Sequence, residues 1–126
     1  MKVELPHGEV VDKVAILVIK EERIDDAEKV EHVRNELKVL RDAWAEAGFA
    51  DMTTLEDWQP LLEVNGKLWT VEDEIRECER GGDFGEKFIE LARSVYRLND
   101  IRAKHKRNIS VALGSKLLEQ KSYKPY

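Results

Sequence analysis

A chain of 126 residues with 42% hydrophobic content is one domain, large enough for its own core and with little room for a second. Charged residues at 37%, with only 7 glycines and 3 prolines, argue against a sandwich or barrel built on many turns and for long, solvated helices. The single cysteine, Cys78, rules out an intramolecular disulfide and a multi-cysteine zinc site, and the net charge of -5 gives no general affinity for nucleic acid.

The first six residues are too short and mixed for a signal peptide, and the longest apolar run, Val14 to Ile19, is far too short to span a bilayer. With a lone cysteine that suits a reducing compartment, the expectation is a cytoplasmic protein with no membrane association. The charge is uneven. Beyond Asp100, Arg102, Lys104, Lys106, Arg107, Lys116, Lys121 and Lys124 stand against Glu119 alone, a surplus of six that leaves the first hundred residues at -11. Such an end can meet phosphate or the acidic part of another copy, or simply offset the macrodipole of the helix that carries it.

Taken in chain order, Lys2 to Leu5 reads as a short extended stretch that Pro6-His7-Gly8 breaks. Val10, Val14, Leu17 and Ile24 then recur at steps of 4, 3 and 7, which predicts a first helix over 9–23. The β-branched run Val14 to Ile19 would alone suit a buried strand equally well. Charges on both flanks, with no turn residue between them, favour the helix. Asp25-Asp26 supplies an N-cap for a second helix over 26–47. Its stripe, Val30, Val33, Leu37, Leu40, Trp44 and Ala47, is a bundle seam, and Gly48 is a suitable C-cap.

Phe49 to Asp57 is the main loop. Thr53 and Thr54, each three residues before an acid, are capping-box candidates for a third helix over 55–80, with Pro60 early where a missing N–H costs least. Leu61, Val64, Leu68, Val71, Ile75 and Cys78 form its seam. Beside them Trp58, Leu62, Asn65, Trp69, Glu72 and Arg76 start apolar and end charged. Gly81-Gly82 closes this helix, and Asp83 is expected to cap a fourth over 84–113.

In the fourth helix Phe84, Phe88, Leu91, Val95 and Leu98 continue the seam. The same register then reaches Arg102, His105 and Ile109, so the first half is expected to be core and the second polar. Residues 114–126 form a tail in which Lys116 to Gln120 adds a turn. The fold expected is an all-α antiparallel bundle of about four helices with short N- and C-terminal extensions.

The chain has no glycine-rich phosphate loop, HExxH, CxxC or nucleophile elbow, so no cofactor is expected. His7, His32 and His105 share no ligand spacing, so no metal is expected either. What remains is a set of charges and amides beside the seams: Asp12, Lys13, Lys20 and Arg23 on the first helix, Glu72, Asp73 and Arg76 on the third, Asn99, Asp100, Arg102 and Lys106 on the fourth. Charges flanking a core rarely stay unpaired, because burying one alone costs several kcal/mol. They form an interhelical salt-bridge network, or line a pocket for a small anionic ligand between the first, third and fourth helices, or stay as solvated surface.

Two enzyme patterns can be tested on the residues. Asp73-Glu74-Ile75-Arg76-Glu77 is similar to the EExxE element with which all-helical nucleoside triphosphate pyrophosphohydrolases hold magnesium. The matching ExxD needs an acid at 97, where this chain has Arg97, and only Asp100 fits. Lys20, Arg23, Glu72 and Arg102 could imitate the set with which helical chorismate mutases clamp a dicarboxylate, although no motif pins the match.

PHGEVVDKVAILVIKEERI, LWTVEDEIR, IELARSVYRLNDIRAKHKRNI and LGSKLLEQKSY together resemble a small family of uncharacterised proteins of bacteria and some of their phages, a domain of unknown function. The resemblance covers nearly the whole chain apart from the loop Phe49 to Asp57 and lends no activity. It implies that Asp12, Lys13, Arg76, Asn99, Asp100 and Arg102 occupy the family's polar positions, and His7 departs from its pattern. The reading that follows is a self-associating binding module rather than a catalyst, a homo-oligomer or partner of another protein. Its support is the clean seams, Trp58 and Trp69 on a stripe that needs cover, and complementary charge between the ends. Nucleic acid is disfavoured for want of an aromatic platform.

Overall fold

The computed structural model describes residues 1–115, and the expected turn at Lys116 to Gln120 and the tail after it lie outside them. Four α-helices, α1 (His7–Arg23), α2 (Ala27–Glu46), α3 (Trp58–Gly81) and α4 (Glu86–Ala112), are joined by short connections, with a 3₁₀ turn at Met52–Thr54 between α2 and α3. No strand occurs among the described residues, and the architecture is an all-α bundle. None of these helices is long and apolar enough to cross a membrane.

Contacts between helices give their directions. Glu21 meets Arg34 and Lys13 meets Glu36, so α2 runs against α1. Glu9 meets Lys106 and Asp12 meets Arg102, so α4 also runs against α1. Asp12 meets Asn65 and Arg23 meets Thr70, so α3 runs with it. The order is up-down-up-down, but not as a square: α1 packs on all three other helices, whereas α2 rests mainly on α1.

That central position explains the ambiguous run in α1. A helix covered from three sides needs no wide polar face, and Val11, Val14, Ala15 and Leu17 have no solvent exposure at all. Around them pack Val33, Leu37 and Trp44 of α2, Met52 of the 3₁₀ turn, Trp58, Leu61 and Val64 of α3, and Ile109 of α4. Trp44 closes one end. Its indole N–H donates to the Ala50 carbonyl at 2.8 Å and its ring lies 4.5 Å from that of Phe49. Trp58 is thus a core residue and not the uncovered tryptophan its stripe suggested, and Trp69 is half-buried.

The helix ends differ from expectation in three places. His7 and Gly8 do not break the chain. They form the first turn of α1 behind Pro6, and Gly8 is buried because α1 there crosses α4 closely enough that a Cβ would run into the Lys106 carbonyl. Thr53 and Thr54 do not cap α3. Both bond backward to Asp51, whose carboxylate accepts from the Thr53 N–H and hydroxyl, and α3 begins only at Trp58. Asp83 does not cap α4 directly; its carboxylate accepts from the Gly85 N–H, and the helix starts at Glu86. Gly82, at φ 67°, terminates α3 in the left-handed conformation.

The largest correction concerns α4. Its N-terminal half is not core: Phe84 is 54% exposed and Phe88, Leu91, Val95 and Leu98 are only half-buried, while the buried residues are Lys106, Ile109 and Ser110 in the C-terminal half. Length explains this. The 17 residues of α1 reach about 25 Å, against about 36 Å and 40 Å for the 24 of α3 and 27 of α4. Since α1 ends beside Thr70, the α3–α4 hairpin continues past it as a two-helix arm, residues 71–81 against 86–97, with no third helix to cover its seam.

Candidate functional site

The polar half of α4 lies where α1, α3 and α4 meet, and Asp12 is its centre. Asp12 is 2% exposed, placed one residue off the fully buried positions of α1 and turned toward α4. Arg102 grips it at two points, Nε to Oδ1 at 2.9 Å and Nη2 to Oδ2 at 2.6 Å. Asn65 of α3 donates from Nδ2 to Asp12 Oδ1 at 2.9 Å and to the Leu61 carbonyl at 3.1 Å, and Arg102 Nη1 donates to Asn99 Oδ1 at 3.4 Å. Both oxygens of this buried carboxylate thus accept hydrogen bonds, three in all, which is what makes its burial tolerable.

The pairing continues along α4. Lys106 Nζ stands 2.9 Å from Glu9, His105 Nδ1 is 2.8 Å from Asp57 with Asn108 donating to the same oxygen at 3.2 Å, and the Ser110 hydroxyl accepts the Gly8 N–H at 2.8 Å. Among the described residues no buried side-chain nitrogen or oxygen lacks a partner. Asp12, Asn99, Arg102 and Lys106 therefore belong to a ladder that locks α4 to α1 and to the start of α3. Of its further members, the sequence marks Asn65 and His105 only as polar positions in helical rows, and gives Glu9, Asp57 and Ser110 no role. An amide or hydroxyl in a helical row carries no charge signal, and the acids gain meaning only from distant partners, Lys106 for Glu9 and His105 for Asp57.

Beside this lock opens a groove of about 450 Å³. Of the candidate residues, Lys20, Glu72, Asp73, Arg76, Asn99 and Arg102 line it, together with Ile16, Ile19, Asn65, Leu68 and Trp69. The others point elsewhere. Lys13 pairs with Glu36 of α2 at 3.4 Å, Arg23 donates to Thr70 on another face, and Asp100 is exposed. The set similar to the pyrophosphohydrolase element is not assembled: Glu77 pairs with Arg80, and no group of three or more His, Cys, Asp or Glu among the described residues is placed to hold a metal ion. Of the four residues likened to the dicarboxylate clamp, Lys20, Glu72 and Arg102 share the groove and Arg23 does not.

The arm is the second feature. Cys78 is buried between its helices, but Phe84, Ile89 (51%) and Tyr96 (41%) are exposed, and Arg93 reaches Tyr96 and Glu90, which together raise the arginine above its usual range.

The model of a family of unknown function matches the chain over residues 1–126. The chain belongs to that family, DUF6165. The match takes in the loop Phe49 to Asp57, which the residue-level resemblance left out, so the aromatic corner of Trp44 and Phe49 is part of the DUF6165 domain. No curated protein and no solved structure matches it.

Proposed function

We propose that this protein is a self-associating helical module of the cytoplasm, in which a second copy covers the α3–α4 arm. The observation that carries this reading is the exposure of Ile89 and Tyr96, seven residues apart on one face of a helix whose own seam is only half covered. Two helices alone bury each other on one side only, and a second pair packed against that hairpin covers the rest, as in a four-helix bundle.

Charge favours a second copy over an unrelated partner. Within the arm, α3 carries Glu72, Asp73, Glu74, Glu77 and Glu79 against Arg76 and Arg80, while α4 carries Lys87, Arg93 and Arg97 against Glu86 and Glu90. A two-fold axis that sets α3 of one arm against α4 of the other brings the acidic helix to the basic one twice. The free thiol of Cys78, buried in that seam, suits a reducing compartment.

Light scattering over a concentration series tests the reading. The expected result is a dimer that dissociates on dilution, and an Ile89→Asp, Tyr96→Asp double variant that stays monomeric with unchanged helicity. A wild-type chain that remains monomeric at high concentration and low salt sinks it.

A further inference from the structure

We infer that the groove between α1, α3 and α4 is a binding site for a small organic monoanion with an apolar body, of the class of aromatic or branched aliphatic carboxylates. This goes beyond self-association: Lys20, Ile16 and Ile19 lie on α1, outside the arm, and only Glu72, Asp73 and Arg76 are common to both.

Its volume, about 450 Å³, lies in the range of small-molecule sites. Ile16, Ile19 and Leu68 give it an apolar floor, and Trp69 gives it a flat wall. Its cations are not equivalent. Arg102 is held by the buried Asp12 through Nε and Nη2, and so serves as a fixed wall. Among the described residues Arg76 is engaged only in an exposed 4.0 Å pair with Glu72 on its own helix. Lys20 is half-buried at the end of the apolar floor, and among the described residues no carboxylate lies within ion-pair distance of it. The Lys20 ammonium, in one groove with Ile16 and Ile19, is the group an incoming carboxylate would meet, with Arg76 of the same lining as a second contact.

The remaining charges restrict the ligand further. Glu72 and Asp73 share the rim, so the groove as a whole is close to neutral. A polyphosphate placed there would meet two carboxylates as well as the cations. Inorganic phosphate would leave the apolar floor uncovered. A single negative charge joined to a hydrocarbon or ring body satisfies Lys20 and covers Ile16, Ile19, Leu68 and Trp69 together.

Titration of the full chain with phenylacetate, 4-methylpentanoate, inorganic phosphate and ATP, followed by calorimetry and tryptophan fluorescence, tests this. Both carboxylates are expected to bind and phosphate and ATP to bind at least about tenfold more weakly, and the fluorescence change on phenylacetate should vanish in Trp69→Phe while Trp44 and Trp58 remain. Lys20→Met is expected to weaken carboxylate binding about tenfold or more with the thermal midpoint unchanged, and Lys20→Arg to retain it. Failure of both carboxylates to bind at about 10 mM, equal or tighter binding of phosphate or ATP, or full affinity in Lys20→Met overturns the assignment. Light scattering on the same samples reads self-association separately, so the two proposals fail independently.

Discussion

Asp12 and Arg102, ninety positions apart in the chain, form a two-point ion pair at the crossing of α1 and α4, with the carboxylate 2% exposed and Asn65 of α3 closing its remaining side. Three helices thus share one buried charge. Arg102→Ala leaves that charge without its counterion and is expected to cost about 3 kcal/mol in urea unfolding. The Asp12→Leu, Arg102→Met double variant removes both charges and should recover most of the loss. If the single and double variants are equally destabilised, the pair is held for packing and not for charge.

A second prediction separates two glycines by sign. At Gly8 a Cβ would collide with the Lys106 backbone carbonyl and crowd the Ser110 hydroxyl, so Gly8→Ala is expected to destabilise by about 2–3 kcal/mol. At Gly66, inside α3, the nearest atom a Cβ meets is Arg23 Nη2 at 3.6 Å, an ordinary contact. Gly66→Ala should therefore stabilise by about 0.5–1 kcal/mol through helix propensity. Thermal unfolding of both variants beside wild type decides whether α1 and α4 touch through Gly8.

These outcomes bear on what the sequence alone could tell. Asp26, Gly48 and Gly82 punctuate the chain with residues whose capping chemistry is local, so α2 and the end of α3 fall within a residue or two of expectation. Hydrophobic periodicity in α4 identified the apolar face but not how many neighbours cover it, because cover depends on where α1 stops. Half-buried Phe88, Leu91 and Val95 therefore read as core, and Lys106, which is buried, as a charge beside the seam. Gly8 looked like a breaker because the close helix crossing that requires it is a tertiary fact. Asp12, Asn99 and Arg102 stood out in the sequence as polar groups on or beside the seams, and the fold brings them together, whereas Asn65, an amide among leucines, acquires its role only when Asp12 is set opposite it.

Asp51 gives a pH prediction. Its carboxylate is held below the usual value first by the Thr53 backbone N–H, then by the Thr53 hydroxyl. A depressed folded pKa contributes stability that is fully present above the unfolded value of about 3.9 and is lost as pH falls through the lower folded one. The stability difference between wild type and Asp51→Asn should accordingly be constant near neutrality and shrink only below about pH 4. Carbon-detected titration of the Asp51 carboxyl locates the folded value, and a midpoint above 3.9 would contradict the hydrogen-bond assignment.

Cys78 reports on the arm without perturbing it. Its thiol is 4% exposed and lies between α3 and α4 where no third helix covers them, so a thiol reagent reaches it only when the hairpin opens locally. In a monomer that opening is independent of protein concentration. If arms pair between two copies, opening requires dissociation first, and the labelling rate should fall as protein concentration rises through the dimer range. The Ile89→Asp, Tyr96→Asp variant, with its exposed face made polar, should label at the rapid monomer rate at every concentration. A wild-type rate that does not change with concentration, in samples that light scattering shows to be dimeric, would move the contact surface away from the arm and onto another face of the bundle.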